Sequence, residues 1–215
     1  MKPSLIVLGA PGSGKGTQAE KISKYFGYVH LSTGDMLRSE IEKGSEIGLQ
    51  VKDIMSRGEL VGDELVLALL EQRFKSKENS YLLDGFPRNF TQAQMLTSKL
   101  NEVGCDYRVV FFDIDLGVIK DRIVNRRTCK KCGEIYNLKT KPLGLNGECL
   151  KCGSVDIVHR KDDTEEVVAT RLEVFKQGND PILSYYKSQK VLVEVNAQQV
   201  ESEVFNDLKK IIEGF

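Results

Sequence analysis

Several things are scarce in this chain, and each scarcity excludes a class of function. It has no net charge, because 31 Lys and Arg balance 31 Asp and Glu, so no overall basic field awaits a nucleic-acid backbone. No apolar run approaches the roughly 20 residues that a membrane helix needs. Repeats and low-complexity segments are missing as well. The first apolar run begins at Leu5, so we expect no signal or transit peptide and a cytoplasmic location. Histidine is limited to His30 and His159, both expected to be hydrogen-bonded structural residues. Five cysteines without a secretory signal read as reduced thiols, to be examined for metal before disulfides. The remainder is ordinary: 215 residues, 40% hydrophobic and 29% charged, suit a soluble globular core with two small insertions.

What is abundant is glycine in one place. Gly9-Ala10-Pro11-Gly12-Ser13-Gly14-Lys15-Gly16-Thr17 follows the strand-like run Leu5-Ile6-Val7-Leu8 and precedes Gln18–Phe26, which has helix-forming composition. Strand, glycine-rich turn and helix form the context of a phosphate-binding loop. Glycines allow backbone N–H groups to converge on a polyphosphate, and the helix N-terminus adds partial positive charge. Lys15 then reaches the β- and γ-phosphates, with the Thr17 hydroxyl near bound magnesium nucleotide. A tight glycine turn is the bland alternative, which the complete motif disfavours.

Strands are expected at Tyr28–Leu31, Ser80–Asp84, Tyr107–Ile114 and Val191–Val195, alternating with helices, which with the first strand gives an α/β doubly wound five-stranded parallel sheet. Between the second and third strands, residues 32–61 form a helical insertion: Ser32 or Thr33 caps one helix, a second covers Gly48–Ser56, and another opens after Gly62 and runs through Phe74. Asp84 ends a strand and Arg88 follows it, so both should face the loop of Lys15, as ligands bind at the carboxyl ends of parallel strands. Asp84 suits magnesium held through water, against the alternative of a turn cap. Phe90–Val103 is a helix. A helix over Leu116–Arg127 would place Arg122 and Arg126 on one face, where the macrodipole also welcomes basic residues. A helix carrying Arg171 runs from Thr164 to Gln177 and stops at Gly178; Pro181 starts a short one, and Val200–Glu213 closes the chain.

Cys129-Lys130-Lys131-Cys132 and Cys149-Leu150-Lys151-Cys152 are two C-x-x-C knuckles sixteen residues apart, each followed by glycine. That spacing suits a structural tetrathiolate zinc site with no open position for catalytic water. A catalytic thiol pair fits poorly, and a nucleic-acid zinc ribbon stays open because of Lys130-Lys131, Lys139 and Lys141. Cys105 lies outside the pattern and should be a small buried residue.

Taken together, the glycine loop, Thr33-Gly34-Asp35-Met36-Leu37-Arg38, Asp84-Gly85-Phe86-Pro87-Arg88 and Arg160-Lys161-Asp162-Asp163 resemble adenylate kinase over nearly the whole chain. The four cysteines make it similar to the long-lid bacterial type. The resemblance implies MgATP + AMP ⇌ 2 ADP by direct in-line transfer. It implies a core (1–31, 62–125 and 164–215), an AMP-binding insertion (32–61) and a lid (126–163) with structural zinc. Lys15, Asp84, Arg88, Arg126, Arg160 and Arg171 would be catalytic. ATP would meet Gly12, Ser13, Gly14, Lys15, Gly16, Thr17, Arg122, Arg126, Tyr136 and Gln199. AMP would meet Thr33, Arg38, Glu59, Leu60, Val61, Gly85, Arg88, Gln92, Arg160 and Arg171. The family's usual Asp-Gly is here Asn196-Ala197, and Gly62 stands where proline or threonine is commoner. The expected partners are nucleotides alone, with a monomer and neither nucleic acid nor membrane. A UMP or CMP kinase and a catalytically idle nucleotide sensor are the competing readings. Chemically, the AMP phosphate is already an anionic nucleophile, so no general base is needed; the reaction needs positioning and charge cancellation.

Overall fold

The apolar runs separated by glycine turns become a layered α/β structure. The computed structural model describes residues 2–74 and 80–215; the core span expected over 1–31 and 62–125 thus includes Met1 and residues 75–79, which lie outside the described residues. In chain order the elements are β1 (Ser4–Gly9), α1 (Lys15–Phe26), β2 (Val29–Ser32), α2 (Thr33–Lys43), α3 (Glu46–Ser56), α4 (Asp63–Glu71), β3 (Tyr81–Asp84), α5 (Phe90–Glu102) and β4 (Tyr107–Asp113). They continue with α6 (Ile119–Val124), β5 (Arg126–Cys129), β6 (Ile135–Asn137), β7 (Ile157–Val158), α7 (Glu165–Ser188), β8 (Leu192–Asn196) and α8 (Glu201–Glu213).

Five strands make a parallel sheet in the order β2-β3-β1-β4-β8. Side chains alternate along each strand, and both faces are covered. Ile6, Leu8, Leu83, Val109 and Phe111 enter one apolar layer; Leu5, Val7, Leu82, Val110 and Phe112 enter the other. The second sheet is antiparallel, β6-β5-β7, and carries the cysteines.

Local signals set the helix starts. Ser32, not Thr33, caps α2 by accepting from Asp35 N–H at 3.4 Å, and Asn89 caps α5 by accepting from Gln92 N–H at 2.8 Å. Two helix expectations need correction. The helix expected over Leu116–Arg127 is a 3-10 turn (Leu116–Val118) followed by α6, and Arg126 begins strand β5. Arg126 pairs in register with Asn137 of β6, so strand pairing ends the helix and separates Arg126 from Arg122. Nor does Gly178 stop a helix: α7 runs unbroken through Gly178 and Pro181. Burial of Ile182 and Tyr186 beyond the proline outweighs its missing donor. Gly178 is there for close approach, since a Cβ on it would collide with the carbonyl oxygen of Arg88.

Candidate active site

The loop between β1 and α1 turns with Gly12 at φ 78° and Gly14 at φ 96°, left-handed conformations that glycine adopts without strain. Lys15 folds back so that its Nζ donates to the carbonyls of Gly9 at 2.7 Å and Ala10 at 2.8 Å. Burial draws the Lys15 ammonium down to about 8, with Asp84 working in the opposite direction. Asp84 ends β3, and its Oδ2 lies 3.5 Å from where a side chain on Gly16 would begin, so the carboxylate faces the start of α1. His30 Nε2 is 3.8 Å from the same oxygen, buried and without a hydrogen-bond partner, contrary to the expectation of a satisfied histidine. His159 is exposed. Cys105 is half-buried rather than buried, with its sulfur 3.1 Å from Ser4 Oγ.

A cleft of about 660 Å³ opens over this loop. All six residues expected to be catalytic line it: Lys15, Asp84, Arg88, Arg126, Arg160 and Arg171. So do Gly12, Ser13, Gly14, Gly16, Thr17, Arg122, Tyr136 and Gln199, expected at ATP, and Arg38, Glu59, Leu60 and Gly85, expected at AMP. Thr33, Val61 and Gln92 are buried and do not line it. The Thr33 hydroxyl donates to the Asp84 carbonyl at 3.3 Å, behind the wall. The Gln92 amide is engaged by protein: its Oε1 accepts from Arg88 N–H and its Nε2 donates to Asp63, both at 2.7 Å. Tyr136 shows the cleft part of its ring while its hydroxyl turns into the lobe, 3.2 Å from Cys149 Sγ.

So many cations repel one another. Burial and then Arg171 draw Arg88 down to about 10; burial and then Arg38 do the same to Arg160. Three acids that the sequence reading did not assign balance part of this charge. Asp163 is fully buried, accepts a two-pronged contact from Arg126 and lies 3.2 Å from Arg171. Asp162 pairs with Arg171 at 3.1 Å, and Asp35 with Arg38 at 2.5 Å. Burial opposes the Arg38 charge, but Asp35, together with Asp162 and Asp163, holds Arg38 above its ordinary value. For two of them the signal was present in the sequence: Asp162 and Asp163 stand two and three residues after Arg160. Buried and exposed ion pairs alike contribute little net stability, so the buried Asp163, the mostly buried Asp162 and the exposed Asp35 serve mainly to hold guanidiniums in place.

At the end of β8, Asn196 Oδ1 accepts from Gln198 N–H at 3.0 Å, the turn that aspartate would also make. Arg122 reaches the Ala197 carbonyl at 3.4 Å.

In the cysteine lobe, the sulfurs of Cys129, Cys132, Cys149 and Cys152 all lie within 4.8 Å of one another. Two pairs are at 3.6 and 3.5 Å. A zinc ion with Zn–S bonds of about 2.3 Å in a tetrahedron would set sulfurs roughly 3.8 Å apart. The four residues fit that ion.

A sequence profile of the family described as adenylate kinase matches residues 7–191. An adenylate kinase from Geobacillus sp. (strain WCH70) is 41% identical over 215 residues, covering 98% of this chain and 99% of the relative. Adenylate kinases from Nitrosococcus oceani (97% of each chain) and Fervidobacterium nodosum (99% of this chain, 98% of the relative) are each 39% identical. The chain belongs to the adenylate kinase family. It is therefore a nucleoside monophosphate kinase, a phosphotransferase whose reaction is MgATP + AMP ⇌ 2 ADP. Lys15 and six arginines, Arg38, Arg88, Arg122, Arg126, Arg160 and Arg171, line the cleft. No helix among the described residues is long and apolar enough to cross a membrane.

Proposed function

We propose that the cleft performs this transfer with a division of labour among its cations. Backbone N–H groups of Gly12 to Thr17 cradle the ATP phosphates, with Lys15 beside the transferring group. Arg122 and Arg126 take the donor side, Arg38 and Arg88 hold the AMP phosphate, and Arg160 and Arg171 span the two. The magnesium of MgATP, held by the Thr17 hydroxyl and through water by Asp84, supplies charge against the phosphate oxygens when bound. AMP phosphate attacks directly, so no covalent enzyme intermediate forms and no side chain need abstract a proton. Backbone near Glu59, Leu60 and Val61 lines the acceptor base, and a contact near Gln199 seats the donor base. Thr33 acts behind the wall on Asp84, and Gln92 acts on the base only if its present partners release it.

Residues 1–31, 62–125 and 164–215 serve as the core, 32–61 as the AMP-binding insertion and 126–163 as the lid. Arg126 and Asp163 are the first and last residues of that lid, and their contact closes its base. The cysteine metal is structural zinc, because four thiolates leave it no reactive position. We place the enzyme in the cytoplasm as a monomer without nucleic-acid or membrane partners, consistent with its neutral charge.

One observation carries this reading: Lys15, Asp84 and six arginines from separate elements and loops converge on one cleft over a phosphate-binding loop. A coupled assay for ADP with each nucleoside monophosphate as acceptor tests it. AMP should be strongly preferred. Equal turnover with CMP would establish the pyrimidine reading, and no turnover with any acceptor would establish the idle sensor.

A further inference from the structure

Asp63, the first residue of α4, does not line the cleft, yet two side-chain amides converge on its carboxylate. Asn89 Nδ2 donates to Asp63 Oδ1 at 3.0 Å, and Gln92 Nε2 donates to the same oxygen at 2.7 Å. An ionised carboxylate only accepts hydrogen bonds, so it dictates that both amides face it with nitrogen. Gln92 must then present its oxygen to the other side, where it accepts from Arg88 N–H at 2.7 Å. Asn89 likewise turns its oxygen to the Gln92 N–H at 2.8 Å, the cap of α5. On its opposite side, the Arg88 carbonyl rests against Gly178. Arg88 Nε donates to the Gly85 carbonyl at 2.7 Å. The backbone of Arg88 is thus held at both its N–H and its carbonyl, and one of those holds is set by a carboxylate two steps away.

We propose that Asp63 is a positioning residue for the phosphate acceptor: its charge fixes the orientation of the Gln92 amide and, through it, the Arg88 segment. The proposal rests on the adenylate kinase reading of the cleft. Asp63 directly follows Gly62, where the insertion of residues 32–61 returns to the core. The same carboxylate therefore ties that return point to the loop carrying Arg88, so movement of the insertion and placement of the acceptor phosphate are linked through one hydrogen-bonded set.

Asp63→Asn keeps the shape and removes the acceptor-only character, leaving Gln92 free to flip. Loss of a charge-assisted hydrogen bond should raise KM for AMP roughly tenfold and leave KM for ATP within about twofold. If Asp63 acts through Gln92, the double variant with Gln92→Leu should be no worse than the more damaged single variant. A folded Asp63→Asn enzyme with unchanged KM for AMP, or additive losses in that cycle, overturns the proposal. Should Asp63 variants fail to fold, NMR of the wild-type protein decides: the Gln92 side-chain amide protons should exchange slowly. Exchange as fast as that of an exposed glutamine overturns the proposal. Failure of the wild type to phosphorylate AMP would instead sink the reading of the cleft, and the amide exchange would still report on the geometry.

Discussion

The parallel sheet buries two apolar layers, one on each face, with β1 and β4 contributing alternate side chains to both. The cysteine lobe buries Cys129, Tyr136 and Cys149, packed by Cys132, Leu143, Cys152 and Ile157, and Leu145, Leu150 and Val155 at its outer turns are exposed. At roughly 25 cal/mol per Å² of buried apolar surface, the sheet can hold itself and the lobe cannot. The lobe therefore depends on cross-links: the Arg126–Asp163 contact at its base, ion pairs to the core and, on the reading proposed above, a metal among its sulfurs. Chemistry divides along the same line. Lys15, at the start of α1, and Asp84, at the end of β3, stand on elements of the apolar core, and Arg126 and Arg160 stand where the lobe joins.

The sharpest way to break this comparison is to remove charge from the core. Lys15→Met should not lower the melting temperature, because the ammonium is a buried cation that folding disfavours. Turnover should fall by orders of magnitude; cationic groups at transferring phosphates contribute roughly 10³–10⁵. Arg88→Ala and Arg160→Ala should follow it. Near-normal steady-state turnover in a folded Lys15→Met protein would remove the loop from the mechanism.

Removing the metal should do the reverse. Structural zinc binds zinc-finger peptides with about 10–16 kcal/mol, coupled to folding. Here the lobe is one insertion on a larger core, so chelation or Cys149→Ser should unfold it locally first and lower the melting temperature. Phosphoryl transfer at low temperature should suffer less. Elemental analysis should give about one zinc per chain, as expected for one tetrathiolate site. Unchanged melting in metal-free protein would refute a structural metal, and complete loss of turnover in a chelated but folded protein would point to a catalytic one.

Most of the core was legible because its signals are local and redundant. A strand, a glycine loop and a helix start stand within Leu5–Phe26, and four further apolar runs mark the other strands of the sheet. What escaped was decided by partners far away in the chain. Gly178 and Pro181 have the composition of a helix stop, but Arg88, ninety residues earlier, requires glycine at 178, and core packing carries α7 onward. Arg126 looked helical until β6 was available to pair with it. The acids Asp162 and Asp163 were quoted but unassigned, because their work appears only when Arg126 and Arg171 are seen beside them. Gln92 was expected to meet AMP, and no sequence pattern shows that Asp63 and Arg88 occupy its amide.

A smaller effect follows from burial of Lys15. Its ordinary value is 10.5 and the folded value is about 8. The charged lysine therefore destabilises the free protein below about pH 8, and that penalty is relieved as pH rises toward 10.5. A polyphosphate favours the charged form, so ATP binding above pH 8 should take up a proton, and affinity should weaken as pH rises through that value. Calorimetry in two buffers of different ionisation enthalpy measures the uptake. Zero uptake at pH 9 would mean that Lys15 is not the group meeting the phosphates.

The smallest expected effect concerns the ties between lobe and core. Lys151, in the second cysteine knuckle, donates to Glu20 of α1 at 2.5 Å and to Glu134 of the lobe at 2.7 Å. Lys141 pairs with Glu134 at 2.7 Å and lies 4.0 Å from Glu201 of α8. Hydrogen bonds that Lys151 donates to Glu134 and Glu20 raise its value, and against the cost of burial Lys151 and Lys24 hold Glu20 below the usual carboxylate range. Lys151 and Glu20 are each about one-third exposed, at 35% and 34%, so water screens the pair. Such pairs contribute about 0.2–1 kcal/mol, which is a factor of roughly 1.5–5 in a closing equilibrium. Lys151→Gln should therefore raise KM for ATP roughly twofold at low salt, with kcat undiminished because a looser lobe releases product no more slowly. At about 1 M salt the Debye length falls to ~3 Å, and wild type and variant should converge. Glu20→Gln should act alike, and the double variant should add little to either. A difference that persists at high salt would assign the effect to packing of the lysine stem instead of its charge. The lobe would then rest on the core as the core rests on itself, by contact.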